Sequence, residues 1–232
     1  MRKNNKRLFN QTYTMTVEGE CEKYYFEHLK KLINENKSRI ANCQFKPDIA
    51  VKKSPLKHAK AFNGLDNKFF HIQDIEDYYS EEHKKVFYNT LEELKNARKY
   101  VKYYKLGYTN FSFELWILLH KRDMTHSISN RKKYISIINE SYGTNFEHIG
   151  DYKEEQNFKK ILNQISLDDV YQAIKRAKEI RLCNECETCK AQNQKLEEYC
   201  NYTFFTVNPD LDIHEIIETI LVDCFGKKIS EK

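Results

Sequence analysis

Apolar positions change their period along this chain, and the changes divide it. Residues 12–17 (Thr-Tyr-Thr-Met-Thr-Val) are a short β-branched run and predict a strand. Directly afterwards Tyr25, Phe26, Leu29, Leu32 and Ile33 recur at three- and four-residue spacing, which predicts a helix over 20–36. Residues 43–52 alternate through Cys43, Phe45, Ile49 and Val51 as a second strand, with a break expected at Pro47. Ser54-Pro55 opens a short irregular or helical crossover through Phe62, ended by Asn63-Gly64. Residues 69–73 predict a third strand. Ser80-Glu81-Glu82 then caps a long helix to about Tyr100, acidic in its first turn and basic in its last. Residues 102–109 predict a fourth strand. This alternation implies a mostly parallel sheet with helices on its faces. Right-handed crossovers then put the ends of strands one and three on the same edge.

The second half is helical in pattern. Phe113, Trp116, Ile117 and His120 predict a helix over 112–121, and further helical patterns cover 129–142, 154–165 and 167–192. Asn208-Pro209-Asp210 supplies helix-start chemistry for a last amphipathic helix carrying Ile213, Ile216, Ile217, Ile220 and Leu221. Its apolar face is also a candidate surface for a homodimer.

Composition narrows the class. The chain has 232 residues, 40% of them hydrophobic, with 16 tyrosines and 14 phenylalanines against 6 glycines and 3 prolines. It is long enough for one substantial core, and that core is aromatic. The net charge of +5 is a modest excess, but lysine is dense over 2–7, 52–60 and 95–105. Such stretches are either solvated faces or a surface for a phosphate backbone. No run approaches the roughly 20 apolar residues of a membrane helix. The basic N-terminus has no apolar segment behind it, so no signal peptide is read and a cytoplasmic location is expected. The 7 cysteines are then thiols or metal ligands rather than disulfides.

Two acidic clusters close the first and third predicted strands: Glu18-Gly19-Glu20-Cys21-Glu22 and Asp74-Ile75-Glu76-Asp77. Chemistry in open α/β sheets gathers at the carboxyl edge of the strands. Carboxylates crowded there repel unless cations neutralise them, and Mg²⁺ or Mn²⁺ does so through oxygen ligands. Asp74 and Glu76, two apart in an extended segment, lie on one side of it, with Asp77 in support. Glu18 either completes the site or acts as general acid or base, and Glu22, one turn later, faces the same pocket or serves the helix dipole. Metal-assisted phosphodiester hydrolysis fits this set. The competing reading is a pair of solvated turns and helix caps. Glu114 is either a third carboxylate of the site, a residue that orients its ligands, or an exposed helix residue. His120 is either a phosphate or proton-transfer group or a buried, hydrogen-bonded histidine. Lys153 is a candidate phosphate contact, and His214 reads as structural. Cys183, Cys186 and Cys189, with Cys200, could bind Zn²⁺, but positions i, i+3 and i+6 drift around a helix and cannot all chelate without a break.

The stretch 17–26, Val-Glu-Gly-Glu-Cys-Glu-Lys-Tyr-Tyr-Phe, resembles the VEGxTExxYF opening of the RloB family, also known as AbiLii-like abortive-infection proteins. Residues 70–77 resemble that family's FDxD(D/E) strand end, 110–120 its NPxFExWLLLH, and 208–214 its C-terminal NPxTxVHxLV. The family is similar to TOPRIM nucleases. The resemblance implies one RloB-like domain over 1–232, with a TOPRIM- or Rossmann-like α/β core over 11–125 and a mainly helical elaboration over 126–232. It places Glu18 at the TOPRIM glutamate and Asp74 at the first aspartate. Glu76 stands where the second aspartate belongs, so the chain reads DxE, and Phe111 replaces the usual proline. The implied function is Mg²⁺- or Mn²⁺-dependent cleavage of DNA or RNA, including tRNA, in antiphage defence beside an ABC- or AAA-type ATPase partner. The alternative is a non-catalytic module that docks such an ATPase or binds nucleic acid.

Overall fold

The computed structural model describes residues 9–40, 43–51, 54–63, 67–126, 128, 130–186 and 194–226. The basic N-terminal arm, Lys52, Lys53 and Cys189 lie outside the described residues. The first half runs β1 (Phe9–Val17), α1 (Glu20–Glu35), β2 (Cys43–Val51), α2 (Pro55–Ala61), β3 (Lys68–Asp74), α3 (Glu81–Ala97) and β4 (Tyr103–Asn110). The second half runs α4 (Glu114–Leu119), α5 (Lys133–Tyr142), α6 (Ile149–Lys153), α7 (Glu155–Leu162), α8 (Leu167–Glu185), β5 (Leu196–Tyr199), β6 (Tyr202–Phe205), β7 (Asp210–Leu211) and α9 (Ile213–Phe225).

The central sheet has the order β2-β1-β3-β4-β7. Its first four strands are mutually parallel and β7 is antiparallel, so the expected α/β class with a mostly parallel, helix-flanked sheet holds. The middle strands are buried on both faces, which is why β3 is buried continuously from Phe69 to Gln73. Pro47 does not break β2, which runs unbroken along β1. At one end of the strand order, β2 has a side without a neighbour among the described strands, and there the missing N–H of proline costs no ladder bond.

On one face, Met15, Val17, Phe70 and Ile72 meet Tyr25, Phe26 and Leu29 of α1, Trp116 of α4 and the isoleucines of α9. The other face packs Phe69, Tyr104, Leu106 and Tyr108 against Phe87, Leu91 and Leu94 of α3 and Phe204 of β6. The apolar stripe of α9 is therefore buried within the chain, with Ile213, Ile216, Ile217 and Ile220 all at 0% exposure, and is not left for a partner copy. One expectation is corrected, and one element is new. The final helix starts at Ile213, behind β7, rather than at 208. Residues 196–205, which carry no periodic signal, form the β5–β6 hairpin packed on α3. Among the described residues no helix is long and apolar enough to cross a membrane.

Candidate functional site

β1 and β3 are neighbours in register, Val17 beside Ile72, so Glu18 and Asp74 leave the sheet together at its carboxyl edge. The Asp74 backbone N–H donates to Glu18 Oε2 at 3.2 Å. Across β3, Thr109 stands opposite Asp74 and donates its hydroxyl to Asp74 Oδ1 at 2.6 Å. Gly19 then turns the chain into α1, whose first turn buries Glu22 to 7% exposure. A Cβ at Gly19 would stand 3.0 Å from Glu22 Oε2, so this glycine makes room for the carboxylate. The chain leaves β4 through a cis Asn110–Phe111 peptide, and Glu114 opens α4 with only 2% exposure. Glu114 accepts the Ser112 hydroxyl and lies 3.3 Å from Lys153 Nζ at the end of α6.

Glu18, Glu22, Asp74 and Glu114 thus act on one another. Burial, then the charges of Glu22, Glu114 and Glu18, push the Asp74 carboxyl well above its usual range. Burial, with Glu114 and Glu18, raises Glu22 to about 7, against the opposing pull of Lys153. Cys21 is pushed up to about 12, chiefly by burial and then by Glu22. Two cations face the group: burial by itself would lower Lys153 and Arg131, yet Glu114 and Asp74 hold both above their ordinary values. Carboxylates outnumber the cations that face them, and that crowding adds to burial in raising Asp74 and Glu22.

Not every expected residue joins it. Glu76 takes a left-handed backbone, φ 58°, and turns its carboxylate to Arg131 at 2.8 Å and His83 at 3.1 Å. Asp77 is exposed and shapes the next turn, accepting the Tyr79 N–H at 3.1 Å. His120 is buried behind α4. Its Nδ1 faces the Trp116 carbonyl at 2.9 Å and its Nε2 the Tyr25 hydroxyl at 3.2 Å, and burial holds it down at about 4. A ring donating from Nδ1 and accepting at Nε2 is a neutral core histidine. His214 is likewise buried and depressed to about 4. Cys183 and Cys186 sit at the end of α8, and Cys200 in the β5–β6 turn. Among the described residues no group of three or more His, Cys, Asp or Glu is arranged to hold a metal ion.

Thr109, Ser112 and Arg131 were not foreseen. Thr109 could have been found from the parallel register opposite Asp74, and Ser112 from its place two residues before Glu114. Nothing in the sequence ties Arg131 to Glu76, 55 residues away.

A family model for the RloB-like proteins matches residues 13–220. The chain belongs to the RloB-like family. No curated protein and no solved structure matches it. In this RloB-like chain all four motif stretches fall inside the matched span, and the last of them has a structural role. Asn208 Oδ1 accepts the Ile128 N–H at 2.8 Å. Asp210, fully buried, accepts from the Tyr108 hydroxyl, Asn184 at 3.2 Å, Arg181 at 3.3 Å and the Phe205 N–H at 3.0 Å. That hub ties β4, β6, β7 and α8 together beside the carboxylate edge.

Proposed function

We propose that this RloB-like protein is a TOPRIM-like nuclease that hydrolyses phosphodiester bonds with Mg²⁺ or Mn²⁺ at the edge formed by Glu18 and Asp74. The observation that carries the reading is the convergence of carboxylates at one sheet edge, with the Asp74 N–H on Glu18 Oε2 at 3.2 Å and Glu22 and Glu114 buried beside them, close enough that their charges push Asp74 up. An all-oxygen set short of positive charge suits a hard dication, which would relieve the repulsion between the carboxylates. Such an ion, when bound, polarises a phosphoryl oxygen and lowers the pKa of bound water.

The chain's own groups take distinct parts. Glu18 and Asp74 supply ligand oxygens. Glu22, near 7, is matched to proton transfer at neutral pH. Lys153, on Glu114, stands where it can meet a phosphate oxygen. Glu76 can join only by leaving Arg131 and His83. Those side chains are 33–40% exposed, and pairs of that kind are worth about 0–1 kcal/mol, less than a metal–carboxylate bond returns. A role in antiphage defence, and an AAA- or ABC-type ATPase partner, rest on the family resemblance.

A second reading, a non-catalytic module that docks a partner ATPase or nucleic acid, is favoured by the outward turn of Glu76 and the lack of a ready three-ligand group among the described residues. Incubation of purified protein with plasmid DNA and with tRNA, with and without Mn²⁺ or Mg²⁺, separates the two. Metal-dependent cleavage lost in Glu18→Gln and Asp74→Asn is expected. No cleavage with either ion, or cleavage that survives both substitutions, rejects the nuclease.

A further inference from the structure

Beside the carboxylate edge, and sharing Glu76 and Arg131 with it, lies a second feature. A cleft of about 410 Å³ opens between the turn after β3, the start of α3 and the segment before α5. Its volume falls within the roughly 300–1,000 Å³ of small-ligand sites. Tyr78, Tyr79, Phe111, His83, Asn130 and Arg131 are among its walls. Tyr79 is 73% exposed, the most open of the large apolar side chains among the described residues. Its backbone is held in a turn: its N–H bonds to Asp77 Oδ1 and the Ser80 N–H bonds to the Asp77 carbonyl at 3.0 Å, and its ring meets Tyr78 edge-on at 6.1 Å. A ring so exposed at the mouth of a cleft offers a free face to a flat ligand that stacks.

The cleft is coupled to the carboxylate edge. The Glu76 N–H donates to the Phe111 carbonyl at 2.8 Å, and the Ile75 N–H to the Thr109 carbonyl at 2.9 Å, so the Phe111 wall is hydrogen-bonded directly to the Asp74 turn. Arg131 lines the cleft, and Glu114 and Asp74 raise its pKa against its own burial. A ligand here would have a stacking face and, in Arg131, a neighbouring cation that now pairs with Glu76 at 2.8 Å. Lys84 adds charge, with its ammonium 5.0 Å from the Tyr78 ring.

We propose that this cleft seats one unpaired nucleobase of a single-stranded nucleic acid, stacked on Tyr79, with Arg131 on the adjoining phosphate. The inference rests on the placement of nucleic acid at the Glu18–Asp74 edge and makes the preferred substrate one whose base is free of a duplex. A base inside a helix cannot enter without unpairing, whereas stacking on an aromatic ring accepts any base.

The test is equilibrium binding in EDTA of single-stranded DNA and RNA oligonucleotides carrying 2-aminopurine at successive positions. Cleavage is then switched off and plays no part in the readout. Wild-type protein is expected to quench one position. Tyr79→Ala is expected to abolish that quench and weaken binding about tenfold or more, the scale of one aromatic–base stack. Tyr79→Trp is expected to keep both. An abasic residue at the quenched position should weaken the wild type by a similar factor and leave Tyr79→Ala unchanged. Since Tyr79 is exposed, the Tyr79→Ala melting temperature should match wild type, which separates loss of the stack from loss of the fold. Equal affinity of Tyr79→Ala and wild type, no quenched position, or no binding of single strands overturns the proposal. Metal-dependent cleavage without a Tyr79-dependent quench removes the cleft and keeps the nuclease. A Tyr79-dependent quench with no cleavage in Mn²⁺ does the reverse.

Discussion

Glu22 carries the electrostatic state of the cluster in one side chain. Its ordinary value of 4.5 rises to about 7 through burial and then through Glu114 and Glu18. The folded pKa lies above the unfolded one, so between those values the folded chain holds a proton that the unfolded chain has released. The stability linked to that proton is present below about 4.5 and is lost as pH rises to about 7. Glu22→Gln cannot titrate, so without divalent ions it should gain on wild type, by on the order of a few kcal/mol, between pH 5 and pH 8. Urea midpoints of the two proteins across that range provide the check, and a flat difference would show that Glu22 is not strained. The comparison must be between variant and wild type. His71, His120 and His214, each held near 4 by burial, act in the other direction: their stability is present above 6.5 and is lost as pH falls towards 4. At this scale Glu18 and Asp74 were legible, because strand ends in a parallel sheet share an edge. The direction of Glu76 was not, because a left-handed backbone and a distant arginine decide it, and neither leaves a local signal.

Among the elements, α9 and β4 cross most closely at Gly107. A Cβ there would stand 2.7 Å from Ile216 Cδ1 and 3.1 Å from the Ile213 Cα and Ile72 Cδ1. The isoleucine tips can rotate, but the Ile213 backbone cannot, so even alanine must push α9 away from the sheet. Gly107→Ala should cost about 1–3 kcal/mol, and Gly107→Val more, measured as the midpoint of urea unfolding. An unchanged midpoint would mean that α9 does not pack against Gly107. The periodic elements were legible because each buries one continuous face. The β5–β6 hairpin was not: its strands are four residues each, and only Phe204 and Phe205 of them are buried, against partners on α3 and α8 that no local pattern announces. The two residues of β7 carry a misleading helix-start signal for a related reason. Asn208-Pro209-Asp210 has helix-opening chemistry, but Asp210 is committed to Tyr108, Arg181, Asn184 and Phe205 instead.

Across the whole molecule, the α/β half and the helical half meet at the carboxylate edge. Glu18, Glu22 and Asp74 come from the first half, while Glu114, Arg131 and Lys153 come from the second. The fold class followed from alternating periods, which act over ten or twenty residues. The pairing of Lys153 with Glu114 and of Arg131 with Glu76 depends on how the halves dock, and no spacing in the chain encodes it. The central claim is that this shared edge holds a dication, and the most direct measurement is Mn²⁺ binding at pH 8, followed by the EPR signal of the free ion. Wild-type protein is expected to remove Mn²⁺ from solution. Asp74→Asn is expected to bind at least about tenfold more weakly, since loss of even an outer partner of a metal ligand costs about that much. Wild-type protein that leaves the free Mn²⁺ signal unchanged, or Asp74→Asn that binds as tightly as wild type, would contradict it.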